Sequence, residues 1–296
     1  MILNIFSDSK GPDVTFPFHI YKGVSNGDYL EHQHNFTEVV FVIGGEAVHK
    51  VGKTTKKLGK GDVFVITNPV SHQHVNMKNF THYDIQFDLQ KLTLLDDEIK
   101  QYSGFHSLFY IEPNCLLTKE YNGGLVLNDE QLNYATAMLD IMCDAYNSKH
   151  SGYKIIIRTH LIALMVYISH CHSPMNETIS NHTYKISETL AFIENNCEKK
   201  ILVKELAAIA CLSERQYNRV FTNTYGISPV DYIIKTRLNK ACRLLENQEL
   251  SIHNISIQCG FFDSAYFNKQ FKIYFNMTPS EYRKKAFLNL LNNKNT

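Results

Sequence analysis

The chain has 296 residues, 44% of them hydrophobic and 20% charged, with a formal net charge of +1. That length exceeds one ordinary domain and is enough for two units with real cores. The composition excludes a disordered chain. No apolar run reads as the roughly 18–20 residues of a membrane span, and no charged-then-apolar leader opens the chain. Seven cysteines without a CxxC pair argue for reduced thiols and a cytoplasmic protein rather than a disulfide framework.

The net charge hides an asymmetry. Residues 1–182 carry 14 Lys+Arg against 19 Asp+Glu, and residues 183–296 carry 16 against 10. The halves are therefore −5 and +6, summing to +1, and five of the six arginines lie in the second. A basic module beside an acidic one is the footprint of a DNA-binding domain with a partner domain.

In chain order, the first half reads as strands. Thr37–Ile43 is β-branched and aromatic and is ended by Gly44-Gly45, with Ala47–Val51 as its hairpin partner. Residues 61–67 and 81–87 follow, and turn residues separate the segments. Such spacing predicts an antiparallel β-barrel or jelly roll. Histidines punctuate it: His32-Gln33-His34 is followed by Glu38, and His72 lies 11 residues after Gly61. This resembles the two cupin motifs, His-x-His-x3-Glu and Pro-x-x-His, over about residues 15–90, with Gly27 one residue closer to His32 than the pattern asks.

The resemblance implies that His32, His34, Glu38 and His72 bind a divalent metal, since imidazoles and a carboxylate suit Mn, Fe, Ni or Zn. In regulators of this kind the expected reading is an effector pocket lined by these four and His74, with no obligatory metal; a bound metal and purely structural histidines are the alternatives. Polar groups on rigid strands suit a hydroxyl-rich ligand, and a sugar is the expected effector. A fatty acid would need a lining dominated by Phe, Ile and Val. A metal-holding cupin with residual enzymatic activity is the other alternative to a non-enzyme.

Residues 91–121 give no clear pattern. Asn128-Asp129-Glu130 opens a helix over Gln131–Asn147, and an apolar helix follows over Tyr153–His170. Residues 173–183, polar with a proline, read as a linker, and Asn289–Thr296 as a frayed tail. The expected organisation is a barrel at 1–125, a helical pair at 126–172, the linker, and an all-α domain at 184–296. The fold class is α+β with two domains.

The last domain contains a repeat. At an offset of 50, Phe221 matches Phe271, Pro229 matches Pro279 and Tyr232 matches Tyr282, so one supersecondary unit is used twice. Ser228-Pro229-Val230-Asp231 and Thr278-Pro279-Ser280-Glu281 are capped helix starts. Gly226 and Asn276 precede them as left-handed stops. Ser213 and Asp263 are N-caps of the helices before those stops. Two short helices joined by a tight turn, twice over, describe a tandem helix-turn-helix.

Ile255-Ser-Ile-Gln-Cys-Gly-Phe261 through Lys272, with Thr278-Pro279 and Tyr282-Arg283, resembles the AraC/XylS transcription regulators over about residues 184–285. The resemblance implies an activator that meets promoter DNA and RNA polymerase, works as a homodimer through the helical pair, and involves no membrane. Two recognition helices would enter successive major grooves about 34 Å apart. The projecting positions are Glu214, Arg215, Gln216, Asn218 and Arg219 on the first helix and Ser264, Ala265, Asn268 and Lys269 on the second. Arg215, Gln216, Asn218 and Asn268 are the base-reading candidates, and Arg219, Lys269, Lys272 and Arg283 the phosphate holders.

Overall fold

The computed structural model describes residues 2–3, 16–52, 54–67, 71–89, 97–115, 124–172 and 181–294. The chain divides into two compact units, Met1–Glu188 and Thr189–Thr296. The expected linker falls mostly on 173–180, outside the described residues, and Asn181 already begins a helix.

In the first unit, β1 (Ile2–Leu3) pairs in parallel with β3 (Gln33–His34). The main sheet contains β2 (Phe18–Gly27), β4 (Thr37–Val51), β5 (Thr54–Leu58), β6 (Asp62–Ile66), β7 (His72–Phe87) and β8 (Leu125–Val126). Its order is β2-β7-β4-β6-β8, with β5 on β4, and every pairing is antiparallel. Glu38 and His49 sit 11 residues apart on β4, about 36 Å if the strand were straight. Both nevertheless meet His72: its Nε2 is 3.2 Å from Glu38 Oε2 and its ring centre 5.7 Å from that of His49. The sheet is therefore curled round on itself.

Gly44-Gly45 does not end the strand. Thr37–Val51 is continuous, with register shifts against β7 between Val42 and Val48, so the expected hairpin is a bulged bend. Gly45 has φ +74, and a Cβ there would lie 2.1 Å from Asn79 O. The glycine pair bends the strand round the barrel.

The two faces of the sheet have different partners. Val39, Phe41, Tyr83, Ile85 and Phe87 are buried with Phe18 and Ile20 in the main core. That core includes Leu132, Met138, Leu139 and Met142 of one long helix and Ile157, Leu161, Leu164, Met165 and Ile168 of the other. Burying side chains of this size is worth about 1.5–3 kcal/mol each. Residues 97–115, unreadable in the sequence, form a 3-10 turn (Asp97–Gln101), α1 (Ser103–His106), a π turn (Ser107–Ile111) and α2 (Glu112–Cys115). Phe105, Leu108 and Phe109 join the same core. The helical pair is α3 (Asp129–Ser148), opened by an Asn128–Gln131 capping box, and α4 (Tyr153–Cys171). Contrary to the sequence reading, α4 is long and apolar enough to cross a membrane by length and composition. Its Ile157–Ile168 stripe is instead packed in the core.

The second unit runs from the end of α5 (Asn181–Asn196) through α6 (Val203–Ile209), α7 (Glu214–Tyr225), α8 (Pro229–Leu244), α9 (Ile252–Gln258), α10 (Ser264–Phe275) and α11 (Pro279–Lys294). The expected tail is helical as far as Lys294. The repeat folds as a repeat. Phe221 and Phe271 are both fully buried. Phe221 meets Tyr232 at 5.7 Å and 78°, and Phe271 meets Tyr282 at 5.6 Å and 79°. Gly226 (φ +71) and Asn276 (φ +55) are the left-handed stops. Ser213, Ser228, Ser251 and Asp263 cap α7, α8, α9 and α10.

Candidate functional site

The interior of the curled sheet holds the first site. His34 lies between two oxygens: Nδ1 donates to Phe36 O at 2.9 Å, and Nε2 faces Glu38 Oε2 at 3.2 Å. His72 Nε2 faces the same carboxylate oxygen at 3.2 Å. Burial alone would raise the Glu38 carboxyl, but the hydrogen bonds and charge of His34 and His72 outweigh it and hold the group well below the usual carboxylate range.

The donor set fits a divalent ion. One ligand atom each from His34, Glu38 and His72 lies within 4.8 Å of the others. The bond from His34 to Phe36 fixes the ring so that Nε2 is the edge presented, which is how an outer hydrogen bond orients a metal ligand. A bound ion would act as a Lewis acid towards ligand oxygens. His32 is not in this set, contrary to the sequence reading. Its Nδ1 donates to Leu30 O at 2.9 Å, and its ring lies 4.2 Å from that of His72. His74 stacks on His49, centres 4.7 Å apart at 14°.

Four groups that sequence reasoning missed complete the wall: Tyr21, His49, His82 and Asp84. Phe80 links His74 to His82, with ring centres 5.9 and 4.9 Å away, and Tyr21 lies 5.7 Å from His82. Gln86 donates to Asp84 Oδ2 at 3.1 Å. Burial and the neighbouring Glu38 push the Asp84 carboxyl well above its ordinary range, so Glu38 carries the charge while Asp84 keeps its proton longer. Burial lowers His49, His74 (to about 4) and His82, so these rings are neutral near pH 7. The overlooked signal was the period of two. His82, Asp84 and Gln86 alternate with Tyr83, Ile85 and Phe87, and the polar set faces the interior instead of water.

The second site is the pair of recognition helices. On α7, Glu214, Arg215 and Arg219 are exposed while Tyr217 and Phe221 are buried. On α10, Ala265, Asn268, Lys269 and Lys272 are exposed around buried Phe267 and Phe271. Four of the expected DNA contacts also make bonds within the protein. Gln216 Oε1 accepts from Ser213 N and Oγ as the partner in a capping box, and Asn218 Nδ2 donates to Glu214 O at 2.8 Å. Ser264 Oγ is 2.9 Å from both His253 Nδ1 and Ser256 Oγ. Arg283 is half-buried and donates to Leu250 O at 2.7 Å, so it ties α11 to the turn before α9.

A barrel with a buried polar interior in one unit and two capped, duplicated helix pairs in the other define a DNA-binding regulator with a separate ligand-binding unit. A family model described as "AraC-like ligand binding domain" matches residues 18–165, and one described as "Helix-turn-helix domain" matches 206–285. The chain belongs to the AraC family of transcription regulators. It is 24% identical over 255 residues to the HTH-type transcriptional activator RhaS of Klebsiella pneumoniae, covering 86% of this chain and 87% of that one. It is 28% identical over 256 residues to RhaS of Mannheimia succiniciproducens, covering 86% and 89%. Among solved structures, an AraC-type regulator from Chromobacterium violaceum is 32% identical, covering 34% of this chain and 91% of that one, with a TM-score of 0.33.

Proposed function

We propose that this chain is a cytoplasmic transcriptional activator, not an enzyme, that binds promoter DNA and is switched by a sugar held inside the barrel. The observation that carries the effector class is the polar wall of the barrel interior, where the rings of His34, His49 and His82 and the carboxyl of Asp84 are buried together. Groups of this kind pair with hydroxyls and offer a fatty acid carboxylate no counter-charge. The relatives' printed description as transcriptional activators supports the direction of control. Occupancy would bias DNA or RNA polymerase engagement by a coupling on the order of 1–3 kcal/mol. The deciding experiment selects binding sites for the purified full chain from random DNA and places the winner upstream of a reporter. Sequence selection with reporter output that rises on adding one sugar supports the reading; binding indifferent to sequence sinks it.

Arg215 is the leading base contact. Arg215→Ala should weaken a selected site by about 1–3 kcal/mol and relax preference at one position. Gel-shift titrations against single-base variants check this, and an equal loss on every sequence would make Arg215 a phosphate contact.

A homodimer formed through the outer faces of α3 and α4 completes the proposal. Tyr134, Ile141 and Ile155 remain exposed there, at 59%, 44% and 68%, an apolar surface that association would cover. Ile155→Glu should shift the chain to monomer in sedimentation at micromolar concentration; an unchanged sedimentation coefficient would place the interface elsewhere.

The metal reading keeps one specific support, the convergence of His34, Glu38 and His72. Elemental analysis of purified protein decides whether a metal accompanies the effector.

A further inference from the structure

The two helix-turn-helix copies differ in the length of one turn. In the first, the N-cap Ser213 follows Leu212 directly. In the second, Phe261 takes the place of Leu212: its N–H bonds Ser256 O as that of Leu212 bonds Ala207 O. The N-cap Asp263 comes two residues later, so Phe262 is an added residue in the turn. Its side chain is 86% exposed, the highest value of any large hydrophobic among the described residues.

In a helix-turn-helix, the N-terminal residues of the second helix meet the base edges. At that end of α10 the polar side chains are already bonded within the protein. The Asp263 carboxylate accepts from Ala265 N at 2.9 Å and from Tyr266 N at 3.2 Å. Ser264 Oγ is tied to His253 and Ser256. The Phe262 ring and the Ala265 methyl are left facing outward, and both residues are exposed. Counted from the N-caps, Ala265 stands where α7 carries Arg215. A phenyl ring and a methyl group have no donor or acceptor with which to read a base.

The major groove offers such side chains one apolar group, the 5-methyl of thymine, and Phe and Ala are residues that meet it. Covering the ring there also removes apolar surface from water. We propose that Phe262, with Ala265 beside it, reads a thymine methyl group in the major groove, so that α10 selects thymine where α7 reads its base through the Arg215 guanidinium. This rests on the reading of α7 and α10 as the helices that face DNA.

Sites selected from random DNA by the purified full chain are resynthesised with each thymine in turn replaced by deoxyuridine, which removes the methyl and leaves the pairing edge intact. Anisotropy titrations at fixed salt compare them. At one thymine the replacement should weaken wild-type binding by about fourfold, the value of one methyl group taken from water. Phe262→Ser should bind the unmodified site more weakly and show no preference for thymine over deoxyuridine at that position. Phe262→Leu, which restores an apolar side chain, should recover most of the preference. Both variants should unfold in urea as the wild type does, because the ring is exposed. A selected site without thymine, or a wild type indifferent to deoxyuridine at every position, overturns the proposal. So does a Phe262→Ser chain that keeps the full preference. Unchanged DNA binding with lost reporter output would give the ring to a protein partner instead, and overturns it too. A wild type that selects no sequence at all sinks the DNA-facing reading of α7 and α10, and this proposal with it.

Discussion

Acidification from pH 6.5 to 4 should strip stability from the first unit, and His106 is where the effect is cleanest. The ring is buried, its Nε2 donates to Lys100 O at 2.6 Å, and its Nδ1 has no hydrogen-bond partner among the described residues. Burial lowers its pKa from 6.5 to about 4, with the Lys100 carbonyl pulling weakly the other way. A base depressed in the folded state contributes its full stability above the unfolded pKa. That contribution is lost as pH falls through the window between 6.5 and about 4, because the unfolded chain takes up the proton first. The loss for His106 alone is about 3 kcal/mol, a large part of the roughly 5–15 kcal/mol that holds a domain together. His74 is depressed to a similar value and acts in the same direction. His106→Gln keeps a donor for Lys100 O and cannot titrate, so its stability should fall less over this window. Urea unfolding at pH 7.5 and 4.5, read by hydrogen exchange across residues 97–111, makes the comparison. Identical pH slopes in wild type and variant would contradict the assignment.

The second large effect is Gly260→Ala, which should cripple the DNA-binding unit. Gly260 has φ +83, and a Cβ there would lie 2.7 Å from the carbonyl oxygens of both Cys197 and Glu198. Those oxygens cannot easily retreat, because Arg237 donates Nε to Cys197 O at 2.6 Å and Nη2 to Lys199 O at 2.8 Å. A left-handed alanine costs about 1 kcal/mol and overpacking about 1–3 more, for a total of about 2–4 kcal/mol. The other copy provides an internal control. Cys211 takes the same place in the first turn, an offset of 49 (260 − 211). Cys211 N bonds Ala208 O and Leu212 N bonds Ala207 O, just as Gly260 N bonds Ile257 O and Phe261 N bonds Ser256 O. Cys211 is left-handed too, at φ +52, but exposed. A side chain is therefore tolerated where there is room, and contact with residues 197–198 is what forbids one at Gly260. A denaturation midpoint for Gly260→Ala within 1 kcal/mol of wild type would refute the clash.

Much of this was legible in the sequence because it is local or repeated. Caps at Ser213, Ser228 and Asp263 and stops at Gly226 and Asn276 are short-range chemistry, and duplication at a fixed offset reported their context twice. His34, Glu38 and His72 were found by spacing. What stayed hidden depends on the tertiary fold. Asp84 and His82 look like a solvent-facing set, because polar residues alternating with apolar ones on a strand usually face water. Here the helices took the apolar side and the curl enclosed the polar one. His49 could not be placed while Gly44-Gly45 read as a turn instead of a bend. Gln216, Asn218, Ser264 and Arg283 project as expected of DNA contacts, but their atoms are bonded within the protein, and helical projection alone does not show that.

The alternation in β7 separates two kinds of inheritance. Positions 82, 84 and 86 face the barrel interior, while Tyr83 hydrogen-bonds Asp140 of α3 and Ile85 and Phe87 join the helix core. Substitutions at one parity can retune what is recognised without disturbing the helical docking made at the other. A lineage can thus diversify its chemical appetite one residue at a time while keeping the outer helices, and whatever assembles on them, unchanged.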